Sequence, residues 1–568
     1  MRFHKLITYS KIFQRASKFD IIIIRSCSCT SKAPPKGDTP SNVDSRKKGL
    51  VLGVYENNKQ YCLTPAAEEL NQKCGGKICK YLNELSGEMK MGRAFVVTDL
   101  LPEYSAVALS LLGPKGCTYN ELESIDEDRE NIRWCVGSGV RLLLMRGCGS
   151  IDIDTVTAPD AAAEAAELAA WRFNIFKSSN RKPKCHVHPY GKGKGKLWEQ
   201  GSIRARAQNW ARYLSDMPAN RMTPVDLAQA ALDVLCPLGV KVKANDREWI
   251  TAQRMQAFLT VARGSCHAPM FLELDYRGTS ENVPPVLIAA KGVTFDSGGL
   301  CLKKRESMSE NRGSMAGAAV VLGALKALAE LKNIVKKATK KCRFKRFVWL
   351  PCPQVPINVI GCIPLCENMV SGQCMKVGDI VKALNGLSIQ IENTDYEGRL
   401  MMADALVYGQ AIYKPSLVID VATFTQGVLM ATGGGAFGCF SNSERAWAAA
   451  RAAGARSGDR PWRFPLWKYY QKQITNEPSV DLRNKGSGHA TPCLGAAFLR
   501  NFICGDWLHM DITGVGKVAH FVAPPYLDPR RMTGRPCRTL TTLLENIAHD
   551  TQSKSKTFKH EQPDVGKK

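Results

Sequence analysis

The sequence predicts an α/β protein of more than one domain, and three observations carry this. Short apolar runs rich in Val, Ile and Leu alternate with amphipathic or Ala-rich stretches, the pattern of strands joined by crossover helices. The chain has 568 residues with 44% apolar content, too long for one ordinary domain and apolar enough for substantial cores. A basic, Gly-rich stretch, 177–196, interrupts the alternation and marks a domain change.

The first nineteen residues, MRFHKLITYSKIFQRASKF, hold five Lys/Arg and no acid, with Leu, Ile and Phe interleaved. This is the composition of a mitochondrial transit peptide; the alternative is a disordered basic tail on a cytoplasmic protein. The run Ile21–Ile24 is too short to span a bilayer, so no membrane span is expected. Cleavage is expected near 25–31, and a Pro/Gly/Ser/Lys linker extends the segment to 1–48.

From residue 49 the elements follow in order. GLVLGVY reads as a strand, 66–71 as a helix and 93–97 as a strand. Residues 128–145 place Ile132, Val136, Val140 and Leu143 on one helical face. A strand at 150–156 and an Ala-rich helix at 161–176 complete a first domain, 49–196, which carries no catalytic constellation. A second domain, 197–548, opens with a long helix, 201–215. Residues 257–265 read as a loop, 271–276 and 286–290 as strands, 314–331 as a helix, 357–363 as a strand and 364–372 as a loop. A disordered tail is expected over 549–568.

The net charge of +26 resembles that of a nucleic-acid binder, but residues 1–30 supply +5 of it and 335–354 supply +7, leaving +14 spread over the rest. No zinc finger, RNP-like strand or periodic basic helix accompanies the charge, so nucleic-acid binding is not expected. The 21 cysteines are scattered and form no CxxC pair, as in a reduced chain with packing cysteines. Cys185, His186 and His188 cluster, but Lys and Gly surround them; a solvated linker is the expected reading.

Two motifs carry chemistry. Asn393-Thr394-Asp395-Tyr396-Glu397-Gly398-Arg399-Leu400 places two carboxylates two residues apart, so an extended segment points both to one side. Gly398 is expected to let the backbone turn closely, with Arg399 as a fixed cation. Earlier, Lys291-Gly-Val-Thr-Phe-Asp296-Ser-Gly-Gly299 is followed by Lys303. Hard oxygen ligands with lysines on two strand-end loops point to a dinuclear metal site for hydrolysis.

Together these motifs resemble the leucyl aminopeptidase family, whose members remove single residues from peptide N-termini. The resemblance spans 50–548, with further landmarks at 216–224, 507–511 and 532–540. It implies a two-domain fold: a smaller N-terminal α/β domain, and a larger C-terminal α/β catalytic domain with a mixed central sheet. It also implies a homo-hexamer, a peptide substrate and two divalent ions, Mn or Zn. Carried over residue by residue, Asp296 and Glu397 bridge the metals, Asp395 completes the looser site and Lys291 ligates the tighter one as a neutral amine. Lys303 stabilises the oxyanion, and Arg399 holds a bicarbonate that moves the proton of the attacking water. Asn311, Asn393, Thr423 and Phe424 fall at substrate-binding positions.

The departures cluster at this site. Ser314 stands where the family has an Asp ligand of the tighter metal, and losing an anionic donor weakens such a site by orders of magnitude. Asn311 replaces an apolar specificity residue, usually Met; Ala316 replaces a Gly; Tyr396 replaces a small Ala between two ligands; Phe424 and Gln426 alter a Thr-Leu-Thr-Gly loop. The expected function is a metallo-exopeptidase with weakened or lost activity. The alternative is an inactive homologue acting as a structural protein of sperm mitochondria, as the resemblance to the insect sperm-type branch implies. Residues 335–354, VKKATKKCRFKRFVWLPCPQ, are expected to be an insertion relative to the family. They read as a translated short intron or as a basic surface loop, and transcript sequencing separates the two.

Overall fold

The parallel sheet expected at the N-terminus forms in part, around a strand buried on both faces; three of its pairings are parallel and two antiparallel, so the sheet is mixed. Gly49–Tyr55 of β1 (Lys48–Asn57) is continuously buried, as a central parallel strand requires. The computed structural model describes residues 47–560 apart from 59, 86, 179–183, 192–194, 342–354 and 518–522, with backbone alone at 333–341 and 550–560. The transit and linker segment therefore lies outside the described residues, as does most of the stretch 335–354.

Among the described residues the N-terminal sheet has six strands. After β1 come β2 (Gln60–Leu63), β3 (Ala94–Val97), β4 (Ala106–Gly113), β5 (Ser150–Asp154) and β6 (His186–Tyr190), in the order β3-β4-β1-β5-β6 with β2 beside β1. β1 runs parallel to β4 and β5, and β5 to β6. Helices α1 (Glu127–Met145) and α2 (Pro159–Ala170) connect them. α1 starts at Asp126, whose side chain accepts from the Arg129 amide. α2 stops at Ala170, before the aromatic stretch expected to continue it. The Cys185–His188 cluster, expected in a solvated linker, lies at the edge strand β6, which pairs with β5 from Ser150–His186 to Asp154–Tyr190. Half-exposed edge strands carry no apolar run, which hides them from a hydropathy reading.

The C-terminal domain is larger. Helix α3 (Gly195–Asp216) leads into it. The strands of its main sheet are β7 (Lys241–Asn245), β8 (Met270–Arg277), β9 (Val286–Ala290), β10 (Gly292–Asp296), β11 (Asn358–Asn368), β12 (Leu417–Ala422), β13 (Phe437–Ser441), β14 (Pro461–Arg463) and β15 (Trp507–Asp511). They form a nine-stranded sheet, β14-β13-β15-β12-β9-β11-β8-β7, with β10 beside β11. The pairs β12–β9, β9–β11 and β12–β15 are parallel, whereas β8 is antiparallel to both of its neighbours and β13 to β15. The mixed central sheet is thus present.

Two segments expected as loops are regular. Gln256–Ala262 is a short helix, because AFLTVA is apolar and unbroken. Pro364 punctuates the sequence, yet β11 continues to Asn368 as Leu365 and Cys366 pair with Gly292 and Val293.

Helix α4 (Ala316–Lys341) is buried all round from Ala316 to Leu325. Its small residues allow close packing: a methyl added to Gly317 would lie 2.3 Å from the Val421 carbonyl oxygen. Leu322, Leu325 and Leu328 have no exposed surface, and each contributes roughly 1.5–3 kcal/mol by burial. Arg305–Lys332 is, among the described residues, the one segment apolar and long enough to cross a membrane, and it lies almost wholly inside the fold. Helix α5 (Glu397–Tyr413) follows the second motif. Helix α6 (Cys537–His560) runs on past residue 549, where a disordered tail was expected. No Pro or Gly interrupts that stretch, so the helix is free to propagate.

A buried ion network joins the domains. Glu164 of α2 accepts from Arg133 Nε at 2.9 Å and from Arg538 Nη1 of α6 at 2.8 Å. Arg538 also donates to Gln208 Oε1 at 2.7 Å and lies 3.5 Å from Asp459.

Candidate metal centre

The site forms where the parallel strands of the larger sheet end. Asp296 terminates β10, Thr423 follows β12 and Asp511 ends β15. Carboxyl ends of parallel strands are where α/β sheets open a crevice.

The second motif reaches the site differently from the extended segment expected. Asn393–Tyr396 is a turn, and Glu397 is the first residue of α5. The Asn393 side chain accepts from the Asp395 amide at 2.8 Å, an Asx turn that aims Asp395. Glu397 sits at a helix N-terminus, whose dipole favours a carboxylate. Gly398 makes no turn. It lies in the first turn of α5, and a methyl there would meet Lys291 Cδ at 3.0 Å and Cε at 3.1 Å, so its smallness seats Lys291.

Three carboxylates converge. One oxygen each of Asp296, Asp395 and Glu397 lie within 4.8 Å of one another. Lys291 Nζ sits 2.6 Å from Glu397 Oε1 and donates to the Thr423 carbonyl at 3.1 Å. Lys303 Nζ is 3.1 Å from Asp296 Oδ2 and pairs also with Asp395 Oδ1. Asp296 Oδ1 accepts from the Gly298 amide and from Asn368 Nδ2, both at 3.0 Å.

These surroundings split the carboxyl groups. Burial opposes ionisation of Asp296, but Lys303, Lys291 and the Asn368 hydrogen bond outweigh it and hold its pKa below the ordinary value. Burial, then the Asp296 charge, pushes Glu397 up to about 7 and raises Asp395 as well. Burial works against the Lys303 ammonium, yet Asp296, Glu397 and Asp395 raise its pKa. Lys303 therefore stays a cation at neutral pH.

The donor set fits divalent metal. Glu397 is wholly buried, and its Oε2 has no hydrogen-bond partner among the described residues. An orphaned buried carboxylate oxygen is costly unless a cation takes it, and three hard oxygen donors with lysine nitrogen suit such an ion.

A cavity of about 670 Å³ opens on the cluster, lined by Lys291, Asp296, Lys303, Asp395, Thr423 and Phe424 among others. Ser314 and Tyr396 are also in its wall. Ser314 is 2% exposed, in the 3-10 turn Ser309–Met315, and its carbonyl accepts from Thr423 Oγ1 at 2.9 Å. The helix expected from Ser314 begins at Ala316. Arg399, Asn393 and Asn311 stand behind the wall. Arg399 is 2% exposed, donates to the Asn484 carbonyl, and stacks on the rings of Tyr396 at 4.5 Å and Phe424 at 5.4 Å. Burial lowers its pKa to about 10.

Sequence reasoning missed the groups that hold these in place. Asn368 and Asp511 lay inside landmark stretches with no role assigned. Asp511 accepts from the Phe424 amide at 3.1 Å and the Thr425 amide at 3.0 Å, locking the loop after β12. Lys517, also in the wall, gave no signal at all.

An α/β domain with a carboxylate–lysine cluster of this kind has the donor set of a divalent-metal hydrolase. The family model described as "Cytosol aminopeptidase family, catalytic domain" matches residues 209–339 and 347–541. The chain is 38% identical to the cytosol aminopeptidase of Xenopus tropicalis, covering 90% of this chain and 95% of that one. It is 37% identical to that of Homo sapiens, over 89% and 93%. A probable cytosol aminopeptidase of Geobacter sulfurreducens is 38% identical over 87% and 96%. The solved bottromycin maturation enzyme BotP shares the fold, with a TM-score of 0.72 at 24% identity over 89% of this chain and 100% of that one; it is also known in complex with Mn. The chain belongs to the cytosol aminopeptidase family, whose members are metal-dependent aminopeptidases.

Proposed function

We propose that this chain is a metallo-exopeptidase acting on peptide N-termini whose activity is weakened at the tighter metal site. The observation that carries this is Ser314, a residue of the cavity wall beside Asp296 and Lys291, at the position where the family resemblance places a carboxylate ligand. Asp296 and Glu397, with Asp395 and Lys291, are the residues that would hold the ions. Bound divalent ions, Mn or Zn, would supply carbonyl polarisation and an activated water. Lys303 presents its ammonium beside Asp296 and Asp395, where it can donate to the oxygen that gains charge. Lys291 is fixed by the Thr423 carbonyl and by Glu397. Metal analysis of the purified chain beside leucyl-substrate hydrolysis tests the proposal; full occupancy with brisk turnover rejects the weakening.

Tyr396 is the second cause proposed. Its ring and that of Phe424 cover the Arg399 guanidinium, closing off the anion position at which bicarbonate would sit. In a Ser314→Asp background, Tyr396→Ala is expected to make hydrolysis rise about tenfold or more with added bicarbonate, while the Tyr396 parent stays flat. Equal responses would show that the rings do not matter.

With both defects complete, the protein would keep its fold as an inactive structural homologue, the sperm mitochondrial role of the insect sperm-type branch. Mitochondrial location is proposed from the acid-free basic first nineteen residues and is tested by import and cleavage in isolated mitochondria. A homo-hexamer is proposed from the family resemblance, and light scattering on the purified chain measures it.

A further inference from the structure

Lys517 is a cation in the cavity wall that the catalytic reading does not use. It follows the short turn Thr513–Gly516 after β15. A methyl on Gly313 would stand 3.9 Å from Lys517 Cγ, so the lysine stem passes the same turn that carries Ser314. Its ammonium donates to Asn311 Oδ1 at 3.1 Å and forms no ion pair among the described residues, whereas Lys291 and Lys303 both do. Asn311 is 3% exposed, and its Nδ2 has no acceptor among the described residues. Burial, then Lys303 and Lys291, lowers the Lys517 pKa to about 8.

The pair thus offers two unspent donors and no acceptor. Leaving buried donors and a buried cation unmatched is costly, and a carboxylate relieves both at once through charge-assisted bonds. Asp296 and Asp395 are already matched by Lys303, and the open cavity that Lys517 lines is where a ligand's anion can reach it. Resting on the aminopeptidase reading of this site, we propose that Lys517, positioned by Asn311 from behind the wall, forms a carboxylate-selective side-chain subsite, so that the N-terminal residue accepted is acidic.

The test is calorimetric titration of the full chain with L-glutamate, L-glutamine and L-leucine. None of the three is consumed, so the titration reports even on a chain without peptidase activity. Glutamate is expected to bind at least about tenfold tighter than glutamine or leucine. Lys517→Met brings the three to parity, and Lys517→Arg keeps the preference. Asn311→Leu weakens glutamate selectively, which decides the matter if the Lys517→Met protein does not fold. Equal binding of glutamate and glutamine by the wild type, a preference that survives Lys517→Met, or no glutamate binding at millimolar concentration overturns the subsite. A glutamate preference in a chain that neither holds metal nor cleaves peptides upholds the subsite and rejects the peptidase reading alone.

Discussion

Ser314→Asp is expected to raise the affinity of the chain for divalent Mn or Zn by about one to two orders of magnitude, and leucyl hydrolysis with it. The backbone at this position is already placed. Its carbonyl is fixed by Thr423 Oγ1, and the preceding Gly313 packs so closely that a methyl there would meet Met532 Cε at 2.5 Å. The added carboxylate would therefore join the wall of the cavity that Asp296 and Lys291 also line, without a change of fold. It restores an anionic donor to a site whose cation demand is set by three carboxylates, one with an orphaned buried oxygen. Equilibrium dialysis against Mn and Zn, with elemental analysis, gives the affinity directly. An unchanged affinity would show that Ser314 is not the missing donor and would move attention to Tyr396.

Glu164→Gln is expected to destabilise the fold by about 3–5 kcal/mol at pH 7, the usual cost of breaking a buried ion pair by removing one partner. Glu164 is 3% exposed, and its loss leaves the guanidiniums of Arg133 and Arg538 facing each other without their shared anion. Those residues belong to different domains, so the cost falls on their junction. The pH dependence has a definite sign. Burial pushes the Glu164 carboxyl up, but Arg133 and Arg538 pull it further down, from 4.5 to about 2. A depressed carboxyl contributes stability that is full above its unfolded value and is lost as pH falls through its folded one. Urea denaturation should thus show the wild type ahead at pH 7, with the gap narrowing between pH 4.5 and 2. A gap under about 1 kcal/mol at pH 7, the range of an exposed pair, would contradict the account.

The sequence made the strands legible wherever both faces are buried. Gly49–Tyr55 and Val286–Ala290 are unbroken apolar runs because parallel strands have no solvent face. It was silent on β6, whose edge position leaves His186 and His188 in a half-exposed strand, and it read Pro364 as an interruption within β11. At the site, the ligand-type residues stood in two compact motifs, and the fold brings Lys291, Asp296, Lys303, Asp395 and Glu397 together. What spacing could not give was how they arrive. A turn held by Asn393 and a helix start at Glu397 replace the extended segment, and Gly398 is small for the sake of Lys291. Asn311–Lys517 and Asp511–Phe424 are partnerships between distant stretches, and no local pattern encodes them.

The claim that this member of the cytosol aminopeptidase family has a weakened metal centre is tested most directly by counting metal. Purified full-length chain, equilibrated with micromolar Mn or Zn and analysed for bound ions beside a leucyl-substrate assay, is expected to hold fewer than two ions per chain and to turn over slowly or not at all. Two tightly held ions with rapid cleavage would contradict it and would mean that the Ser314 position is compensated by another donor.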